Sequence, residues 1–136
     1  MSVLSAKDLE VVLRNELLKI SNDFTLLPAI NSSNYDAKPF IEIDRYGYNY
    51  VCCERNQEIF RKLPIDTEQL LYEVFRDISF RLAIGWESKN RLQGEDFRRQ
   101  LFAKRIELMG KINPVFAEKM QEEINQILLH YPYSTK

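Results

Sequence analysis

The side chains best placed for chemistry are the carboxylates Glu87, Glu95 and Asp96, closely interleaved with the guanidiniums of Arg91, Arg98 and Arg99. Carboxylates so spaced can bind a hard cation, or work as an acid and a base when their protonation states differ. Neighbouring guanidiniums oppose both uses, because they neutralise the carboxylates, lower their pKa and make them weak bases. Other constellations are missing from the sequence. It holds no Gly-rich phosphate loop, no His-x-x-x-His, and no Ser or Cys nucleophile with a partner base, since the sole histidine, His130, lies near the C-terminus. Cys52 and Cys53 are adjacent in a β-rich stretch and should point to opposite faces. With only His130 to add, they cannot complete a zinc site and read as reduced thiols, at least one of them buried. No metal and no cofactor is expected.

The elements that must position these groups are a helix leading into the charged stretch and a helix leading out of it. Asp66 with Gln69, just after Pro64, is a capping signal that opens a central helix at Thr67, running to about Leu92. Leu70, Leu71, Val74, Phe75, Ile78, Leu82 and Trp86 form one broad apolar face, and Phe80 and Ile84 lie on the other side. A helix apolar nearly all round is expected to be buried. Arg81 within it needs a partner, for which Asp77 is nearest, and Gly85 suggests close approach of another backbone. Gln93-Gly94 breaks the pattern, so the next helix should start at Glu95 with two acids in its first turn. On that helix Arg98 and Arg105 project between the two sides of the apolar stripe formed by Phe97, Leu101, Phe102, Leu108, Met109 and Ile112. They either lie at a rim or pair with Glu87 or Glu95, or part of the face is open to another protein.

Around these stand a first helix over about Ala6–Ile20, capped by Ser5 with Asp8, and a last helix with Asn113 as cap and Pro114 in its first turn. The last helix carries a stripe of Phe116, Met120, Ile124, Ile127 and Tyr131; Pro132 closes the fold and the remaining residues are expected to fray. Ser21 to Pro39 reads as a connecting segment. Phe40–Asp44, Tyr48–Cys53 and Ile59–Leu63 read as an antiparallel meander with turns at Tyr46-Gly47 and Asn56-Gln57. The fold class is therefore α+β, a small sheet of about three strands packed with about four helices. Tyr46, Tyr48 and Tyr50 could share one face, either as packing aromatics or as an aromatic contact platform.

A chain of 136 residues fits one domain spanning 1–136, able to bury roughly two thirds of its unfolded surface. With 45% hydrophobic and 29% charged residues and a net charge of −1, it has the balance of a soluble protein and no global field that would attract nucleic acid or an anionic membrane. No apolar run approaches the ~18 residues of a membrane span, and no signal peptide opens the chain, so a cytoplasmic location is expected.

The segments Tyr48-Asn-Tyr-Val-Cys-Cys-Glu-Arg55, Glu68-Gln-Leu-Leu-Tyr-Glu-Val-Phe75 and, most specifically, Glu87-Ser-Lys-Asn-Arg-Leu-Gln-Gly-Glu-Asp-Phe-Arg-Arg-Gln-Leu-Phe102 resemble a family of small bacterial immunity proteins. It is the immunity-protein family numbered sixty-three, from polymorphic-toxin and contact-dependent inhibition loci. The resemblance covers about 40–132. It implies an α+β domain that is not an enzyme and that binds and neutralises a cognate toxin domain, and it marks Glu87, Arg91, Glu95, Asp96, Phe97 and Arg98 as toxin contacts or as fixers of the fold. Two other readings compete: a small enzyme built on Glu87, Glu95 and Asp96, and a homo-oligomeric structural module.

Overall fold

The computed structural model describes residues 3–32 and 37–134. Elements follow in the order α1 (Ala6–Leu17), a 3-10 turn (Phe24–Leu26), β1 (Phe40–Asp44), β2 (Gly47–Glu54), β3 (Gln57–Lys62), α2 (Thr67–Lys89), α3 (Phe97–Ile112) and α4 (Pro114–His130). This is an α+β chain with a three-stranded antiparallel sheet in the order β1-β2-β3 and four α-helices. It forms two compact units, Met1–Val74 and Phe75–Lys136, and the division falls inside α2.

In the first unit, α1 begins where a side chain satisfies its orphan amides: Ser5 Oγ accepts from the Asp8 N–H at 3.2 Å. The helix stops at Leu17, three residues short of the expected end, with Leu18 to Ile20 forming turns. Leu9, Leu13 and Leu17, spaced by four, are its buried stripe. The β1–β2 turn is set by Asp44, whose Oδ1 accepts from the amides of Tyr46 (2.8 Å) and Gly47 (3.1 Å), and by Gly47 at φ 131°. The β2–β3 turn places Arg55 and Asn56 both at positive φ, 50° and 64°, the conformation whose twist matches a two-residue hairpin. β2, the central strand, is buried from Gly47 to Cys53.

The two edges of the sheet differ. β1 is flanked by Ala29–Asn31: the Ile41 N–H donates to Ala29 O (2.8 Å), the Asn31 N–H to Ile41 O (2.7 Å), and Asn31 Oδ1 accepts from the Ile43 N–H (2.8 Å). The connecting segment thus contributes a single parallel bridge, Ile30 to Ile41; its residues 33–36 lie outside the described residues. β3 carries a register irregularity opposite Cys52 and Cys53, a device that bends an edge away from further pairing. Both cysteines are free thiols and both are buried.

In the second unit, Asp96 caps α3 and Asn113 caps α4, each accepting from the amide two residues on at 3.0 Å. α3 thus starts at Phe97, two residues after the expected Glu95, because Asp96 serves as the cap instead of joining the first turn. Leu101, Leu108, Met109 and Ile112 of α3 and Phe116, Met120 and Ile124 of α4 are buried. Each such side chain contributes roughly 1.5–3 kcal/mol. A Cβ on Gly110 would stand 3.4 Å from that of Ala117, so the small residue lets α3 and α4 approach. Arg76 Nε donates to both carboxylate oxygens of Glu123 (2.9 and 3.0 Å), tying α2 to α4.

Two expectations about α2 are corrected. Its buried residues run along one side, including Leu70, Val74, Phe75, Ile78 and Ala83, but Phe80 and Ile84 remain 41% and 45% exposed. Gly85 has no neighbour within 4 Å of where a Cβ would sit, so no described backbone approaches it. No helix among the described residues is long and apolar enough to cross a membrane.

Candidate functional site

The charged stretch forms the corner between the end of α2 and the start of α3. Its loop is fixed by its own polar side chains. Asn90 Nδ2 donates to Trp86 O (2.8 Å), Gln100 Nε2 donates to Asn90 O (2.6 Å), and Gly94 takes φ 77°, a left-handed conformation that favours glycine.

Glu87 is buried, with its side chain 4% exposed, and Arg91 closes over it with two hydrogen bonds, Nη2 to Oε1 at 2.8 Å and Nε to Oε2 at 3.0 Å. These bonds hold the Glu87 carboxyl below its ordinary pKa against the opposing effect of desolvation, and they raise the pKa of Arg91. The Arg91 side chain itself is 61% exposed and lies over the Phe97 ring at 5.8 Å. The carboxylate therefore faces inward and the cation outward.

Asp96 and Arg98 form a second pair with a different task. Arg98 Nη2 and Nε donate to Asp96 at 2.9 and 3.2 Å, and the guanidinium also donates to Tyr131 O (2.7 Å) and Pro132 O (2.8 Å). Asp96 Oδ2 accepts from the Ser134 N–H (2.9 Å). Hydrogen bonds from Arg98 and Ser134 hold the Asp96 carboxyl well below the usual carboxylate range. Tyr133 packs against Phe102, ring centroids 6.3 Å apart, with Arg99 over its ring at 4.2 Å and Arg98 at 5.5 Å. Tyr131 to Ser134 is thus strapped to the start of α3, although the residues after Pro132 were expected to fray. The bonds join residues more than thirty positions apart, which no local pattern announces.

Arg98 pairs with Asp96, not with Glu87 or Glu95. Arg105 is buried, donates to Arg76 O (3.0 Å) and lies 5.1 Å from the Phe80 ring. Glu95 and Arg99 are exposed and form no ion pair among the described residues. They line a groove of about 320 Å³ together with Trp86, Leu92, Gln100, Ala103, Lys104 and Glu107, so its carboxylates and cations balance. Lys104 stands 5.0 Å over the Trp86 ring and 3.3 Å from Glu107. Trp86, Leu92 and Lys104 line this groove, whereas the sequence placed Trp86 on the apolar face of the central helix and carried that helix to about Leu92; α2 ends at Lys89, which leaves Leu92 in the loop.

Tyr46, Tyr48 and Tyr50 do not form an exposed face. Tyr48 and Tyr50 are 2% exposed, and only Tyr46, in the β1–β2 turn, is open, at 77%. The Tyr48 hydroxyl accepts from the Leu4 N–H (2.8 Å) and shares a hydrogen bond with Thr67 Oγ1 (2.7 Å), so it joins α1, β2 and α2 within the first unit. Among the described residues no group of three or more His, Cys, Asp or Glu is arranged to hold a metal ion.

The charged groups of this corner thus divide between two internal pairs, Glu87–Arg91 and Asp96–Arg98, and the exposed Glu95 and Arg99. The chain belongs to the Immunity protein 63 family, whose model matches residues 44–126, from the end of β1 to within α4. No curated protein and no solved structure matches it.

Proposed function

We propose that the chain protects the bacterial cell that makes it by binding a cognate toxin domain one to one in the cytoplasm, without catalysis, as part of a polymorphic-toxin or contact-dependent inhibition system. The observation that carries this reading is the family match over 44–126, which takes in all of β2, β3, α2 and α3. The chemistry of the α2–α3 corner supports it. Glu87 is held ionised by Arg91 and Asp96 by Arg98, and carboxylates kept below their ordinary pKa are poor proton carriers but firm structural anchors. An inhibitor needs a rigid surface with aromatic and arginine anchors and no reacting group.

The test is co-expression with the toxin domain encoded by the adjacent reading frame. Growth of a susceptible host should be restored, and the two chains should co-purify. Continued killing together with no complex would overturn the reading.

A further inference from the structure

One side of the sheet ends on backbone groups that have no use inside the chain. Beyond β1, the Ile41 N–H donates to Ala29 O at 2.8 Å and the Asn31 N–H donates to Ile41 O at 2.7 Å. No peptide bond among the described residues is cis, and a trans peptide sets its N–H and C=O on opposite sides. Ala29 O and the Asn31 N–H point at β1, so the Ile30 N–H and the Ile30 C=O both point away from it. Neither has a hydrogen-bond partner among the described residues. Asn31, at φ 57°, leaves the extended path, so this open edge is one residue long.

The edge forms part of a groove of about 340 Å³ within the first unit, between α1 and the stretch from Phe24 to Ile30. Clefts that seat ligands begin at about 300 Å³. All of its lining residues precede Asp44, where the family match begins. Arg14 lies over the Phe24 ring at 4.6 Å and pairs with Glu10 at 3.3 Å, so these two charges are spent on each other. Lys7 is the one lining charge left over among the described residues, and charge is therefore a minor part of what the groove offers. The larger part is an unused donor and acceptor beside the apolar surface of Phe24, 37% exposed, and Leu27.

From this arrangement we infer that the groove is a seat for strand addition. An extended segment of the toxin lies antiparallel beside Ile30, and one of its residues, other than proline, donates its N–H to Ile30 O and accepts from the Ile30 N–H. The inference rests on the immunity reading above and names the seat and the conformation of what enters it. Directly opposed residues of an antiparallel pair can exchange both bonds, so a single toxin residue satisfies both Ile30 groups. Main-chain bonds of this kind supply affinity, and the side chains that flank them supply specificity. Each Ile30 edge is walled by its own α1, so two copies of this chain cannot lay these edges together, and the occupant is a projecting segment of another protein.

The experiment follows amide hydrogen exchange, residue by residue, in the full chain alone and in complex with the purified toxin domain, inactivated if needed. In the free chain the Ile30 amide should exchange faster than those of Asn31 and Ile41, and the toxin should slow it by about tenfold or more. Affinities of three variants are measured alongside, with circular dichroism and thermal unfolding as checks on the fold. Ile30→Pro removes the N–H without breaking a described bond, and Ala6→Phe fills the groove from its α1 wall. Each should weaken the complex by about tenfold, whereas Ile30→Val, which keeps the N–H, should bind within about twofold of the unaltered chain. Should Ile30→Pro fail to fold, the exchange measurement and Ala6→Phe decide without it. A complex in which the Ile30 amide exchanges as in the free chain, or one that Ala6→Phe matches within about twofold, would overturn the seat while leaving the immunity reading standing. No complex with the unaltered chain would remove both. An Ile30 amide protected without toxin, in a chain that sediments as a dimer, would give the groove to a second copy and also overturn the inference.

Discussion

At the scale of single residues, the acids and bases of the charged stretch divide by burial. Glu87 and Asp96 lie beneath Arg91 and Arg98, and Glu95 and Arg99 are left at the surface. A pH dependence follows from Asp96. Its carboxyl ionises below its ordinary value of 3.8 in the folded chain, so on acidification the unfolded chain takes up the proton first. The stabilisation is complete above about pH 5 and is lost progressively as the pH falls below the unfolded value. Unfolding midpoints of the unaltered chain and of Asp96→Asn, which keeps an acceptor at the α3 cap, should differ at neutral pH, with the gap beginning to narrow as the pH is lowered from about 5 to about 3; a gap that stays constant would contradict this. Tyr48 offers a second residue-scale test. Tyr48→Phe leaves the Leu4 amide and the Thr67 hydroxyl without their shared partner and should cost roughly 1–3 kcal/mol in urea unfolding.

At the scale of elements, the caps were the most readable signals because they are local. Ser5 and Asn113 stand where the sequence places them, and the three strands fall within a few residues of the stretches rich in β-formers. The capping signal before α2 was equally plain: Asp66 Oδ1 accepts from the Gln69 N–H at 2.8 Å. What the pattern could not supply was coverage. Phe80 and Ile84 have the same apolar character as Ile78, and periodicity does not say which side of a helix finds a neighbour. The strap at Tyr131–Ser134 was invisible for a related reason, since its anchor Arg98 lies more than thirty residues away. Gly85 yields an element-scale prediction. It sits exposed inside α2 with open space around its absent Cβ, so Gly85→Ala should stabilise the chain by about 0.5–1 kcal/mol, read from the urea midpoint at constant slope. Destabilisation would mean that the helix there is held in a conformation Ala does not tolerate.

At the scale of the whole molecule, α2 contributes to both compact units, so neither can lose structure without losing part of a shared helix. A single unfolding transition is the expected calorimetric outcome for a chain of this size, as for one domain; two separated transitions would show the units melting independently. The membership in the Immunity protein 63 family and the inward-facing carboxylates give the molecule its proposed task of occupying another protein's surface.

The most direct test of that task is a titration of the purified toxin domain with the purified chain, following the toxin's activity at equilibrium. A binding inhibitor predicts that activity falls in proportion to the chain added and vanishes at one chain per toxin, with the toxin recovered chemically unchanged after denaturing separation. Loss of activity at far less than one equivalent, accompanied by a covalent change in the toxin, would contradict it.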